Sequence, residues 1–305
     1  MDRSGGPDGV LLLDKPAGIT STRALAKAKR LLGSLKGGHT GTLDPFATGL
    51  LPLVFGEATK FSRFLIDSRK SYEATLRLGE ETLTGDTESD VIRTTAVSVS
   101  EAQIDAALVG FRGEQRQIPP MHSAVHVAGR RLYEYARAGE EVIRPARAVT
   151  IDELARLALE GRDLTVRVSC SKGTYIRTLA QDIGQALGCG AYLVALRRTA
   201  VGGFSLRDAL GFEALETLGL AASRGRLLAP EVLVADLPRI DATPEEAAHF
   251  THGRRVPRHA GEGDAQVAVF DPHGRFLGVG LWAGAQGIAP LRLMVAPAAK
   301  LPDFA

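Results

Sequence analysis

The stretch GHTGTLDPFATGLLP, residues 38–52, sets one carboxylate among turn-forming residues directly before a long apolar segment. Glycine allows backbone angles that other residues avoid, and Pro45 fixes its own φ while restricting Asp44 to an extended conformation. A carboxylate held this rigidly at the entrance to a buried element suits a nucleophile or a general base. The same residue types also form an Asx turn, in which Asp44 only bonds the backbone that follows it. The stretch therefore predicts a fixed loop and leaves two interpretations of its acid open.

Composition is typical of a globular protein that buries a sizeable core. The 305 residues are 45% hydrophobic and 24% charged, enough for one large or two ordinary domains. Lysine and arginine number 37 against 35 acidic residues, so any basic surface for nucleic acid must be local. No apolar run reaches the roughly 18 to 20 residues that cross a bilayer, and the polar N-terminus is unlike a signal peptide. The two cysteines, Cys170 and Cys189, form no zinc pattern and no disulfide framework, which favours a cytoplasmic protein.

Hydrophobic periodicity predicts an α+β fold for residues 1–229. An apolar run at 10–13 is typical of a buried strand, and a basic helix follows that Ser21 or Thr22 can cap and Gly33 can end. Further predicted elements are strands at 72–78, 164–170 and 192–199 and helices at 100 onward and 174–187. We expect a mixed, mainly antiparallel sheet flanked by helices.

The composition and pattern of the chain change at about Pro230, after which predicted short strands, glycine and proline are frequent. Two apolar runs, 267–270 and 276–280, flank a turn of the sequence DPHG at 271–274. We therefore predict a small β-rich C-terminal domain over residues 230–305.

Several familiar catalytic motifs are absent from the sequence. It contains no phosphate-binding loop, no dinucleotide fingerprint, no zincin helix and no serine-hydrolase elbow. Side chains alone must then carry any chemistry. The acidic segment 80–90 lacks the order of a calcium loop, so we predict an exposed loop there. The basic run from Arg23 to Lys36 is compatible with a solvated helix face or with a surface for RNA.

The combination of motifs resembles the TruB family of tRNA pseudouridine synthases. The stretch from Gly38 to Phe61 resembles the family signature. Other segments that fit motifs of the family are 9–21, 70–74, 119–124, 170–180 and 196–199. The resemblance fades after about Phe204. No short piece is specific alone, but their joint occurrence in matching order is.

The resemblance implies conversion of uridine 55 in the T loop of tRNA to pseudouridine. The base is detached from its ribose at N1, turned, and rejoined through C5. In matching positions, Asp44 is the catalytic carboxylate and Arg177 its ion-pair partner, while Tyr72 stacks on the flipped-out base and can assist proton removal. His39 matches a histidine that contacts the displaced nucleotide, and Leu196 lines the uracil site. Tyr175, which lies in the arginine motif, completes the implied substrate-binding residues.

The resemblance also bears on partners and on the rest of the molecule. It implies the T stem-loop of tRNA as substrate, with no cofactor and no metal. The sequence does not decide the oligomeric state, and a monomer without a protein partner is the default expectation. It further implies a PUA-like, RNA-binding character for the C-terminal domain. Two other functions stay open, namely an RNA chaperone that opens the tRNA elbow and the catalytic subunit of a guide-RNA complex.

Simple electrostatics supports the pairing of an acid with an arginine. Desolvation raises the pKa of a buried carboxyl, whereas an adjacent guanidinium lowers it and grips both oxygens. Each residue also has a plainer interpretation: Tyr72 alternates with core positions, and Arg177 is compatible with a surface ion pair.

Overall fold

The computed structural model describes residues 6–123, 126–127, 129–258 and 264–294. The predicted polar tail at 1–5, Ala124 of the 119–124 segment and residues 295–305 of the predicted C-terminal domain lie outside these ranges. The α-helices are α1 Ser21–Leu32, α2 Ser62–Ile66, α3 Glu101–Gly110, α4 Leu132–Arg137, α5 Ile176–Ala186, α6 Phe212–Arg224 and α7 Pro244–Thr251. The strands are β1 Gly9–Lys15, β2 Gly37–His39, β3 Thr48–Phe55, β4 Lys70–Leu78, β5 Glu80–Thr82, β6 Val91–Thr94, β7 Gly113–Gln117, β8 His126–Val127, β9 Arg130–Arg131, β10 Arg147–Glu160, β11 Asp163–Cys170, β12 Ala191–Val201, β13 Phe204–Ser205, β14 Arg239–Asp241, β15 Asp264–Phe270, β16 Phe276–Ala283 and β17 Ile288–Leu293.

Nine strands form the central sheet, in the order β1-β3-β12-β4-β11-β10-β7, with β2 beside β3 and β13 beside β12. Its pairings are antiparallel except that of β12 with β3. Helices α1, α3, α5 and α6 contribute to the apolar core on one face. The predicted α+β class with a mixed, mainly antiparallel sheet is therefore confirmed.

Burial on both faces explains why β1 lacks alternation in its sequence. Leu11 and Leu13 belong to the core beneath the helices, whereas Val10 and Leu12 belong to a second cluster on the opposite face. A strand that is buried on both faces has a nearly continuous run of apolar residues in its sequence.

Helix α1 begins one residue away from the predicted caps. Thr20 is the N-cap, and its hydroxyl accepts a hydrogen bond from the backbone N–H of Arg23 at 3.1 Å. Ser21 is instead buried, and its hydroxyl bonds the backbone of the loop that contains Leu43. The predicted stop is confirmed, since Gly33 takes the left-handed conformation with φ 59°.

The C-terminal strands form their own sheet, in the order β14-β15-β16-β17. The second apolar cluster joins this sheet to the central one, because it contains Phe61 from the first part of the chain and Phe276 from the last. The two rings meet edge-on with centroids 5.1 Å apart. A boundary at residues 229/230 stays a prediction, and across it the two sheets share a core. No helix in the part of the chain that the structure describes is long and apolar enough to cross a membrane.

Candidate active site

The loop that carries Asp44 lies between β2 and β3 and is tied down on several sides. The hydroxyl of Ser21 donates to the Leu43 carbonyl at 3.0 Å and accepts from the Leu43 N–H at 2.8 Å. The ammonium of Lys15, which is fully buried, donates to the Pro45 carbonyl at 3.3 Å. The residues on both sides of Asp44 are therefore fixed, and the carboxyl group is held in one place.

Arg177, on the first turn of α5, grips Asp44 with two nitrogens. Its Nε lies 3.0 Å from Asp44 Oδ2, and its Nη2 donates to Oδ1 at 3.3 Å. The remaining donors reach the carbonyls of Thr84 at 3.1 Å and His122 at 2.8 Å. Asp86 Oδ2 lies 3.4 Å from Nη1. The arginine side chain is only 5% exposed, so it is a buried ion-pair partner rather than a surface one.

The prediction of an exposed loop at 80–90 is wrong for Asp86. This residue is 2% exposed, and its Oδ1 accepts a hydrogen bond from the Glu88 N–H at 3.0 Å. The acid belongs to the Arg177 cluster, a long-range contact that local sequence does not reveal. Glu88 itself is exposed at the rim of the cleft.

Strands β4 and β12 supply the floor beside the acid. Tyr72 pairs in register with Arg198 and Ala74 with Leu196, so these side chains share one face of the sheet. Burial raises the pKa of the Tyr72 phenol, and the Arg198 guanidinium opposes this rise only in part. A phenol with a raised pKa keeps its proton at neutral pH, which suits stacking better than proton removal.

His39 and Tyr175 complete the lining. Burial lowers the pKa of His39, and Arg198 lowers it further, so the ring is neutral near pH 7. Its buried Nδ1 has no hydrogen-bond partner among the described residues. Tyr175 directly precedes α5, and the Gln117 amide bonds its backbone N–H at 3.0 Å and its carbonyl at 3.3 Å.

All these side chains meet in one open cleft of about 1040 Å³. The six residues singled out from the sequence all line it: His39, Asp44, Tyr72, Tyr175, Arg177 and Leu196. Its rim carries Arg131, Arg137 and Arg147, and no ion pair is found for them within the described part of the chain. The geometry thus combines two acids held by the buried Arg177, Asp44 and Asp86, with a cationic rim.

The electrostatics of Asp44 follow from this position. Burial raises the pKa of its carboxyl above the ordinary value, the Arg177 guanidinium opposes the rise, and the nearby Asp86 carboxylate adds to it. The side chain is 32% exposed, and that exposed surface faces the cleft. An ionised acid with part of its surface open to a cavity can attack or deprotonate a bound group.

Sequence reasoning missed several residues that build the site. Asp86, Lys70 and Arg198 were given no role, and Ser21 was assigned to helix capping. Arg198 carried a usable signal, because it follows Leu196 by two positions on a strand and so shares its face. Across the described ranges, no cluster of three or more His, Cys, Asp or Glu side chains is arranged to hold a metal ion.

Comparison with known proteins finds family models that together span residues 29–294 with one short gap. Residues 29–176 match the model of the TruB family pseudouridylate synthase N-terminal domain. Residues 177–233 match a tRNA pseudouridylate synthase B C-terminal domain, and 238–294 a second C-terminal TruB model.

Among curated relatives, tRNA pseudouridine synthase B of Azoarcus sp. (strain BH72) is 53% identical, over 94% of this chain and 95% of that one. The enzyme of the same name from Burkholderia lata is 52% identical, over 95% and 91%. Among solved structures, a Cbf5-Nop10-Gar1 complex matches with a TM-score of 0.73 at 28% identity, over 97% of this chain and 89% of that one. An H/ACA RNP bound to a substrate RNA containing 2'-deoxyuridine gives 0.72 at 25%, over 98% and 92%.

Identity above one half over nearly the full length of both chains, with matching domain models, establishes the relationship. The chain belongs to the TruB family of tRNA pseudouridine synthases, isomerases that form pseudouridine in tRNA.

Proposed function

We propose that this enzyme converts uridine 55 in the T loop of tRNA to pseudouridine, with Asp44 as the catalytic carboxylate acting on a flipped-out uridine. The observation that carries the proposal is the bidentate contact between Asp44 and the buried Arg177 at the base of the cleft. Such a pair keeps a carboxylate ionised and aimed where water is scarce.

The floor residues fit a detached or everted pyrimidine. The ring of Tyr72 provides a face for stacking, worth about 1–3 kcal/mol for a base on an aromatic side chain. Leu196 borders the same surface, and His39 and Tyr175 close the cleft around it. Tyr72 holds the base, and Arg177 orients the acid that acts on it.

The cations at the rim fit the phosphate backbone of the substrate. On the basic helix α1, Lys27 is paired with Glu216 at 2.8 Å. Arg131 and Arg137, by contrast, line the cleft and flank the ring of Tyr133 at 5.9 and 5.5 Å. Flipping a nucleotide out of its stack costs a few kcal/mol, and unneutralised arginines near the acid can offset that cost.

The test is incubation of the purified protein with unmodified T stem-loop RNA, without added metal or guide RNA. We expect pseudouridine at the position equivalent to 55 and none from Asp44→Asn, which keeps the size of the side chain but loses its charge. Asp163→Asn serves as a matched control, because Asp163 pairs with Arg77 at 2.7 Å and does not line the cleft. Turnover by Asp44→Asn refutes the assigned catalyst.

The same assay separates the competing functions. A chaperone opens the RNA without making the isomer, and a guided enzyme stays inactive until guide RNA is added. The higher identity to tRNA pseudouridine synthase B, 53% against 28% for the Cbf5 complex, supports the unguided enzyme. We also propose that the protein is cytoplasmic and acts as a monomer without a protein partner. Sedimentation of the purified, active protein tests the monomeric state.

A further inference from the structure

Two buried cations on the floor of the cleft have no carboxylate partner in the described part of the chain. Lys70 is 7% exposed and Arg198 is 1% exposed, and both line the cleft. No acidic oxygen within 4 Å of either appears among the residues that the structure describes. Burying an unpaired charge is unfavourable, so its retention needs an explanation.

Backbone carbonyls take up the donors of both side chains. The Arg198 guanidinium donates to the carbonyls of Leu50 at 2.7 Å and Gly41 at 3.0 Å, beside the loop of the catalytic acid. The acceptors of Lys70 Nζ are the carbonyls of Leu65, Ile66 and Ser68 at 3.3, 2.6 and 2.6 Å. These bonds satisfy the donors but leave both positive charges without a counter-ion.

The two cations belong to residues that neighbour Tyr72, whose ring is proposed to carry the base. Lys70 and Tyr72 are two residues apart on β4 and so lie on the same face, while Arg198 is the cross-strand neighbour of Tyr72 on β12. Burial, with the nearby Arg198 charge as the second cause, lowers the pKa of Lys70 to about 8.

The charge balance around the floor is positive. Arg177 with its two carboxylates carries one net negative charge, whereas Lys15, Lys70 and Arg198 carry three positive charges. Glu88 adds a negative charge only at the exposed rim. A floor with excess positive charge is electrostatically suited to an anion.

We propose that Lys70 and Arg198 form a fixed cationic floor that stabilises the negative charge developing on the uracil ring during its transfer from N1 to C5. The inference rests on the proposed function, since it concerns the step that Asp44 starts. When the C1′–N1 bond breaks, its electron pair stays on the base and spreads to O2 and O4. That pair then forms the C5–C1′ bond, C5 releases its proton, and N1 gains one.

The inference holds for each way in which Asp44 can start the reaction. Attack at C1′ or removal of a ribose proton expels the base as an anion, and addition to C6 places negative charge on O4. Fixed charges aimed at a site of developing charge accelerate reactions because they need no reorganisation. Lys70 and Arg198 are therefore positioned charges rather than groups that bond the substrate directly.

The test compares two substrates with leaving groups of different stability. Single-turnover rates are measured with stem-loop RNA carrying uridine or 5-fluorouridine at the target position, as loss of the starting nucleoside after nuclease digestion. Fluorine withdraws electrons and stabilises the uracil anion without help from the protein. We expect Lys70→Gln, which keeps hydrogen-bond donors but no charge, to lower the uridine rate about 100-fold. The loss with 5-fluorouridine should be about 10-fold or less, and RNA affinity should change less than about threefold.

Matched variants separate charge from structure. Lys70→Arg keeps the charge and should retain most of the rate, while Leu65→Ala loosens the same corner of the fold and should slow both substrates equally. If Lys70→Gln does not fold, Arg198→Gln carries the same expectation of unequal losses. Equal losses on both substrates for the folded charge-removing variant overturn the inference. A wild-type protein that leaves the uridine stem-loop unchanged overturns the proposed function as well.

Discussion

The two walls of the cleft are built in opposite ways. We call residues 40–47 the Asp44 wall and residues 130–147 the arginine wall. In the Asp44 wall, Leu43 is bonded twice by Ser21, and the acid is gripped by a buried arginine. In the arginine wall, Leu132 is the one buried hydrophobic residue, and Ile143 is 94% exposed.

The contrast shows where rigidity is placed in this enzyme. A group that performs chemistry must be held within a fraction of an ångström, which requires buried partners on every side. Cations that meet a phosphate backbone act through charge and need less exact placement. We therefore expect substitutions in the Asp44 wall to change turnover and those in the arginine wall to change affinity.

The largest effect that separates the walls is expected for Arg177→Lys. A lysine keeps one charge but cannot grip both oxygens of Asp44 or reach the carbonyls that Arg177 now bonds. The single-turnover rate should fall about 100- to 1000-fold while the Kd for stem-loop RNA changes less than about threefold. Equal losses in rate and affinity contradict the role assigned to Arg177.

The opposite pattern is expected when both Arg131 and Arg137 are replaced by alanine. The Kd for stem-loop RNA should rise about tenfold, and the slope of log affinity against log salt should fall by about 1.5, since two phosphate contacts are lost. The saturating rate should stay within about twofold. Arg156→Ala is the control, because Arg156 pairs with Asp105 at 2.8 Å outside the cleft. A lower rate at saturation, with the salt slope unchanged, places these arginines in the chemistry instead.

A smaller effect, on stability, sharpens the account of the Asp44 wall. Ser21→Ala leaves the N–H and carbonyl of Leu43 without their buried partner. The free energy of unfolding should fall by about 1–3 kcal/mol in urea titrations. Thr22→Ala, at the exposed neighbouring position, should change it by less than about 0.5 kcal/mol. Equal values for the two variants mean that the serine does not hold the loop.

The finest distinction concerns pH. Burial raises the pKa of Asp44, Arg177 opposes this rise, and Asp86 adds to it. On acidification, the carboxylate should therefore be protonated at a higher pH than that of an ordinary aspartate. Asp86→Asn removes one negative neighbour and should move the acidic limb of the single-turnover rate to lower pH. A limb that stays in place or moves to higher pH shows that Asp86 does not act on the acid through its charge.

Local pattern predicted those elements along which burial is periodic. The alternation at 72–78 predicted β4, and the glycine after α1 ended the helix as expected. The prediction failed at Asp86. Its neighbours in the sequence are mostly polar and indicate a solvent-exposed loop, but the Asp86 side chain is buried against Arg177 of α5. The assignment of Ser21 to helix capping was wrong for a related reason, because its hydrogen-bond partner Leu43 belongs to a loop 22 residues further along the chain.

The sequence by itself determined the fold class, the family and the fixed loop that carries Asp44, because periodicity and motifs depend on residues close together along the chain. Tertiary structure alone decided that Asp44, Arg177 and Asp86 meet, and that Lys70 and Arg198 lie next to Tyr72 with no carboxylate partner among the described residues. Charges interact through space rather than along the chain, so their balance exists only once the sheet has brought distant strands side by side.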